Sequence, residues 1–154
     1  MTTAATTLLG LALPVTGELS GVWGDTVNNS ITSLLDTAVA GTTTLSTDAD
    51  VTLDSTDLAS NQARQAILLW SPATGTTTRY LTAPARSKSY IVINISGGTQ
   101  SIVIRGSGPT TGVTVIKGEY CTVAWNGSDF VKTGTNQVGI STGKSIAMAM
   151  IFGG

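Results

Sequence analysis

The chain has 154 residues, enough for one domain with a single core, and eight basic against nine acidic residues give a formal charge of −1. Because the basic residues are scattered from Arg64 to Lys144, the charge pattern argues against nucleic-acid binding through phosphate contacts. The absence of histidine excludes Ser-His-Asp and Cys-His catalysis, and a lone Cys121 excludes an intrachain disulfide, so we expect no enzyme and no cofactor.

The first predicted element is an extended N-terminal arm over residues 1–24. Residues 1–7 are a small polar tract, and residues 8–15 form an apolar run that ends around Pro14 and Gly17. The run has no basic segment before it and is much shorter than a membrane span of roughly 20 residues. We therefore expect neither a signal peptide nor a membrane anchor here.

One amphipathic helix is predicted over residues 25–40. Its apolar residues recur at spacings of three and four, which marks one face of a helix, and Gly41 then stops it. The residues that form this face are Val27, Ile31, Leu34, Leu35 and Ala38.

A β-domain is predicted over residues 41–133, where β-branched and alternating runs replace the helical spacing. Gly97 and Gly98 predict a tight hairpin between two of the strands, and Asn126-Gly127 predicts another between the last two. Short connections favour antiparallel pairing. The expected strands are residues 42–45, 51–53, 66–70, 76–81, 90–95, 101–105, 112–116, 119–125 and 129–132.

The expected fold class is therefore mainly β: a small antiparallel β-sandwich or partly open barrel, preceded by an extended N-terminal arm and one amphipathic helix.

The chain closes with a predicted C-terminal assembly segment over residues 134–154. Residues 134–143 are rich in Gly, Thr and Ser, and the apolar residues that follow alternate, so that an extended chain would place them on one side. In a monomer such a stripe would be a sticky edge. The candidate interface residues of the two ends are Leu8, Leu9, Leu11, Ile146, Met148, Met150 and Phe152.

Two stretches look like ligand-binding motifs. Residues 139–145 look like a phosphate loop but have three residues between the glycines where the motif needs four, which favours a flexible linker. Asp48, Asp50, Asp54 and Asp57 could offer carboxylates to a calcium ion, yet the turn glycine and the closing glutamate of an EF-hand loop are missing. A solvated loop is the favoured interpretation, and metal binding by these aspartates stays open.

A possible glycan contact is Trp125 with Asn126, since an aromatic face beside a turn can stack on a sugar. The favoured alternative is that Trp125 packs across its hairpin against Phe130 as a cross-strand pair.

Residues 11–28, which read Leu-Ala-Leu-Pro-Val-Thr-Gly-Glu-Leu-Ser-Gly-Val-Trp-Gly-Asp-Thr-Val-Asn, resemble the opening of virion structural and tail-fibre proteins of marine tailed phages of the cyanophage type. Residues 40–46, 61–70, 101–113 and 123–130 are similar to further segments of those proteins. The resemblance implies a role in the virion and often a trimer. Because no export signal is predicted, we expect a virion protein that is assembled in the host bacterial cytoplasm. Long fibres carry repetitive shafts that this chain lacks, so a short tail-fibre-like appendage or a capsid decoration subunit is expected.

The expected partners are copies of the chain itself, as a homotrimer, and other virion proteins, with neither nucleic acid nor membrane. The alternative function is a receptor-binding module that recognises a host cell-surface glycan.

Overall fold

The computed structural model describes residues 4–17, 19–108 and 110–133. This part of the chain is mainly β, with one helical segment and two larger sheets whose facing sides form the core, which confirms the predicted sandwich-like class. The C-terminal segment lies outside the described residues, and with it the candidate interface residues Ile146, Met148, Met150 and Phe152.

The N-terminal arm is not simply extended, as the sequence suggested, because it folds back on itself as a small hairpin. Strands β1 (Ala4–Ala5) and β2 (Ala12–Leu13) pair antiparallel. Thr6 closes the turn between them, since its N–H donates to the carbonyl of Leu11 and its hydroxyl accepts from the Leu11 N–H. The hairpin thus satisfies backbone groups that an extended arm would leave to water.

The helical segment begins at Trp23, two residues before the predicted start, and runs unbroken to Ala40. It consists of α1 (Trp23–Val27), a π-helical turn (Asn28–Thr32) and α2 (Ser33–Ala40). Gly41 leaves the helix in extended conformation, as predicted. Over its whole length only Leu34 is buried. The domain covers the predicted apolar face of the helix only in part, because Val27, Ile31 and Ala38 are half-buried and Leu35 is exposed.

In the part of the chain that the structure describes, nine strands follow the helix and form the two larger sheets. The order is β11-β10-β7-β5-β3 in the five-stranded sheet and β4-β6-β8-β9 in the four-stranded sheet. The strands are β3 (Thr42–Leu45), β4 (Val51–Thr52), β5 (Ile67–Trp70), β6 (Arg79–Ala83), β7 (Ser89–Asn94), β8 (Ile102–Gly106), β9 (Val113–Val115), β10 (Tyr120–Trp125) and β11 (Phe130–Thr133).

The expectation of antiparallel pairing in this sandwich is wrong for strands β3 to β8, because over this stretch the chain winds between the sheets and places successive strands in alternate layers. Strands β3, β5 and β7 pair parallel in one sheet, and β4, β6 and β8 pair parallel in the other. Thr42 pairs with Ile67, which pairs in turn with Ile91, so successive turns of the chain stack in register. Among the described strands, β9 to β11 alone add antiparallel pairs to these sheets. Strands β4 to β7 thus each lie in the crossover between two parallel strands of the other sheet.

The predicted hairpin at Gly97 and Gly98 is also wrong, since β7 and β8, the strands on either side, belong to different sheets. Neither glycine has a positive φ. Instead the loop stacks on the equivalent loop one turn earlier: the Gly97 N–H donates to Pro72 at 2.8 Å and the Thr99 N–H to Gly75 at 2.9 Å. A Cβ on Gly97 would collide with the Ala73 carbonyl oxygen. Glycine is needed here for close approach of two loops and not for a turn.

The hairpin predicted at Asn126-Gly127 is confirmed. Strands β10 and β11 pair antiparallel with Trp125 opposite Phe130, and Gly127 adopts a φ of 105° in the turn. The core lies between the sheets and contains Leu68, Trp70, Val92, Val123 and Phe130 from the five-stranded sheet. The four-stranded sheet contributes Leu81, Ala83, Ile102, Ile104 and Val115.

Candidate functional site

Arg64 ties the N-terminal hairpin to the β-domain. It ends a 3-10 turn, Gln62–Arg64, whose first free N–H groups are capped by the Asn61 side chain at 2.8 Å. The Arg64 side chain is only 4% exposed and donates to the carbonyls of Ala59, at 3.2 Å, and Leu9. Burial lowers the pKa of Arg64, against the attraction of nearby Asp57. The buried guanidinium therefore connects the two segments through hydrogen bonds to their backbone carbonyls.

Lys88, next to the start of β7, supports this contact between the hairpin and the domain. Its ammonium donates to the carbonyls of Ala63, at 2.9 Å, Arg64, and Gln65, at 3.0 Å, so all three of its protons have acceptors. Desolvation, and next the repulsion of Arg64, lower the pKa of Lys88 to about 8. The buried Tyr90 hydroxyl donates to the same Ala63 carbonyl at 2.8 Å, and burial raises the pKa of that phenol.

Arg86 completes a group of three basic residues under the hairpin. It approaches the Leu8 carbonyl and the Asp57 carboxylate, each at 3.4 Å. The cavity that these side chains border has a volume of about 20 Å³, room for about one water molecule. The three basic side chains therefore donate to backbone carbonyls of the hairpin and the 3-10 turn. We call this cluster of Arg64, Arg86 and Lys88 the latch, because it holds the arm on the domain.

The structure places the N-terminal candidate interface residues differently from one another. Leu8 is 57% exposed, whereas Leu9 and Leu11 are half-buried where the hairpin lies against its own domain. Further along the arm, Val15 and Trp23 are 59% and 58% exposed and border an open concavity of about 350 Å³. The arm thus exposes apolar side chains both on its hairpin, at Leu8, and at its end next to the helix.

A partly exposed apolar sheet face was missed by the sequence reasoning. Cross-strand partners share a face, and the buried residues of β5, β7, β10 and β11 point to the core, so their alternating neighbours point outward. We call this side of the five-stranded sheet the outer apolar face, formed by Ile67, Leu69, Ile91, Ile93, Tyr120 and Val131. The signal was present in β5 and β7, where apolar residues occupy both alternating positions.

Trp125 and Asn126, the proposed glycan contact, make contacts within the molecule. The Trp125 ring packs edge-to-face on Phe130, with 5.4 Å between centroids, and lies against Gly106. The Asn126 side-chain oxygen accepts from the N–H groups of Ser128 and Asp129, both at 2.9 Å, and so builds the turn. Trp125 therefore forms the cross-strand pair that was the favoured alternative.

The four aspartates of residues 48–57 have different partners, and that of Asp57 is Arg86, as described above. Asp48 pairs with Arg79 at 2.8 Å, and this hydrogen bond, opposed by desolvation, lowers the pKa of Asp48. Asp50 accepts from the Tyr80 N–H at 3.1 Å, and Asp54 accepts from the Thr56 hydroxyl at 2.8 Å. Within the described part of the chain, acidic, histidine and cysteine side chains form no group of three that could hold a metal ion.

Comparison of the chain with protein-family models, with curated proteins and with solved structures finds no match. Among residues 4–17, 19–108 and 110–133, no helix combines the length and apolar character needed to cross a membrane.

Proposed function

We propose that this chain is a non-enzymatic structural subunit of a tailed-phage virion, a short tail-fibre-like appendage or a capsid decoration protein that assembles by contacts with copies of itself and with other virion proteins. The segment of residues 11–28 and the later segments that resemble marine phage virion proteins supply the biological context. The helix supplies the physical argument.

The observation that carries the proposal is the exposure of the helical segment. In residues 23–40 only Leu34 is buried, while Trp23, Leu35 and Val39 are 58%, 45% and 72% exposed. A helix of this length gains most of its stability from packing an apolar face. Large apolar residues left in water on a helix are typical of a surface that a partner covers.

Composition points the same way. Charged residues are 11% of the chain, under half the share of about a quarter that is usual in soluble domains. Interfaces between subunits are depleted of charge at their centres because desolvating a charge costs free energy. A surface poor in charge therefore suits permanent contact with other subunits.

Immunogold electron microscopy of intact particles tests the proposal, with antibodies raised against the purified chain. Label at a regular position on the head or the tail is expected. Infected cells that contain the chain, but release particles without any label or any peptide of it in mass spectrometry, would show that it is not a virion protein.

The alternative proposal, a receptor-binding module for a host cell-surface glycan, has a direct test in a glycan array with the isolated protein. Binding that is lost in Trp125→Leu, while the variant keeps its fold by circular dichroism, would favour this alternative.

A further inference from the structure

The outer apolar face is an uncharged surface with a defined extent. Its exposed members include Ile91 at 41%, Tyr120 at 75% and Val131 at 39%. The outward positions next to them on β3 and β10 are Thr42, Thr44 and other small or polar uncharged residues, so the face as a whole carries no charge. Covering it would therefore desolvate apolar atoms without burying an ion.

The size of this face limits what can cover it. Five strands at about 4.8 Å spacing and about four residues of length give an area of the order of 300 Å². A stable contact between two globular partners buries about 800 Å² on each side. The face is too small for a second copy's globular surface alone, and it matches the footprint of one extended segment.

The chain itself supplies such a segment. Strand β11 ends at Thr133, at the border of the outer apolar face, and residues 134–154 follow. In residues 145–152 the apolar side chains Ile146, Met148, Met150 and Phe152 alternate, and no charge occurs after Lys144. Unbranched methionine side chains adapt to a flat apolar surface. Residues 134–144 span up to about 36 Å when extended, more than the width of the five-stranded sheet.

We propose that residues 145–152 of one copy bind across the outer apolar face of a neighbouring copy. This inference rests on the proposed function, because it names the contact that joins subunits. A contact from the tail of one copy to the face of the next is heterologous, and such contacts close into a ring when the rotation between copies allows. A ring of three would be the homotrimer expected from the sequence.

A mixing experiment tests the proposal with two complementary variants. The first ends at Lys144 and keeps the face without the tail. The second, Ile91→Lys, keeps the tail and places a charge at the centre of the face, on an exposed side chain that tolerates it. The matched control is Ile116→Lys, which changes a similarly exposed isoleucine, at 58%, outside the five-stranded sheet. Circular dichroism and thermal unfolding verify the fold of each variant, and Tyr120→Glu replaces Ile91→Lys if that variant unfolds.

Sedimentation should show the full chain and Ile116→Lys as oligomers, with association at least about tenfold weaker in each of the other two variants alone. An equal mixture of these two should form a heterodimer, because the tail of the Ile91→Lys copy binds the intact face of the shortened copy. A shortened chain that associates with full affinity would overturn the proposal. So would a mixture that stays monomeric, as expected if each tail binds its own face. These readouts are independent of particle labelling, so the virion proposal and the tail contact can fail separately.

Discussion

Asp129 joins the two sheets at one end of the sandwich, because its Oδ2 accepts the backbone N–H of Gly112 at 2.6 Å. Asp129 lies in the turn between β10 and β11 of the five-stranded sheet, and Gly112 directly precedes β9 of the four-stranded sheet. The other carboxylate oxygen accepts from the N–H groups of Gly106, at 3.0 Å, and Phe130, at 2.8 Å. One side chain thus fixes a loop, a strand end and a hairpin turn.

The first prediction concerns Asp129→Asn. Desolvation is the largest single influence on the Asp129 carboxyl and raises its pKa, but backbone N–H donors, including those of Gly106, Gly112 and Phe130, together outweigh it and lower the pKa. Hydrogen bonds to a charged acceptor are the stronger kind, so the variant should lose about 1–3 kcal/mol of unfolding free energy at pH 7. Urea unfolding measures this loss.

The pH dependence of the same variant follows from the direction of the pKa shift. A carboxyl with a lowered pKa in the folded state stabilises the fold fully above its unfolded pKa of about 4, and that contribution is lost as pH falls through the folded pKa. The difference in unfolding free energy between wild type and Asp129→Asn should therefore become smaller below about pH 4. Asp36→Asn, on an exposed part of the helix, is the control and should change stability little. A gap that stays constant with pH would contradict the assignment.

The second prediction compares two glycine substitutions. Gly97→Ala would push a methyl group into the Ala73 carbonyl of the stacked loop, and should cost about 1–3 kcal/mol or more. Gly24→Ala adds the same methyl group to the helix, where nothing lies within 4 Å, and should stabilise by about 0.5–1 kcal/mol. Thermal unfolding of the two variants should shift in opposite directions. Equal behaviour would mean that the loops do not stack as described.

The third prediction concerns the latch on the arm. Arg64→Met removes the donors to Leu9 and Ala59 and should free the N-terminal hairpin. Hydrogen exchange should then accelerate at the amide of Leu58, which donates to the Gly10 carbonyl at 2.8 Å, while core strands keep their protection. Arg79→Met, which removes the ion pair with Asp48, is the matched control and should leave the Leu58 amide unchanged. Unaltered exchange at Leu58 in both variants would show that Arg64 does not hold the arm.

The fourth prediction is a pH effect that belongs to Lys88. Its pKa is lowered to about 8 by burial, so between about pH 8 and 10.5 the unfolded chain binds more protons at this site than the folded chain. Unfolding free energy should therefore rise across this window in wild type relative to Lys88→Met. Cys121 and Tyr90, whose pKa values burial raises, act in the opposite direction, but they are present in both proteins and cancel in the difference. If the difference in unfolding free energy between wild type and Lys88→Met does not change from about pH 7 to 10.5, the lowered pKa of Lys88 is contradicted.

The sequence predicted what depends on neighbours in the chain. The spacing of Val27, Ile31 and Leu34 located the helix, Gly41 ended it, and the β-branched runs located nine strands to within a few residues. It did not predict strand partners, because alternation shows that a strand has two faces but not which strand lies beside it. Gly97 and Gly98 are compatible with a hairpin turn and with a loop that stacks on another loop, and the sequence does not distinguish the two.

The latch and the outer apolar face were missed for a related reason. Arg64 holds the arm through the carbonyl of Leu9, and Lys88 holds the 3-10 turn through the carbonyls of residues 63–65. Carbonyl acceptors that are distant along the chain leave no signature in a sequence. The apolar residues on both sides of β5 and β7 signalled such a face, but its extent follows only from the placement of Ile91 and Tyr120, which are distant in sequence, on adjacent strands.

The pairing of the strands also limits how far the chain can fold while it is being synthesised. Strand β10 pairs with β7, so when residues 1–119 have left the ribosome the hydrogen-bonding edge of β7 still has no neighbour on that side, and Val123 and Phe130 have yet to enter the core. The parallel pairs formed earlier all join residues distant in sequence, which delays their formation. A nascent chain therefore exposes an unpaired edge of β7 until β10 and β11 emerge, and the described core can be completed only after residues 120–133 have left the ribosome.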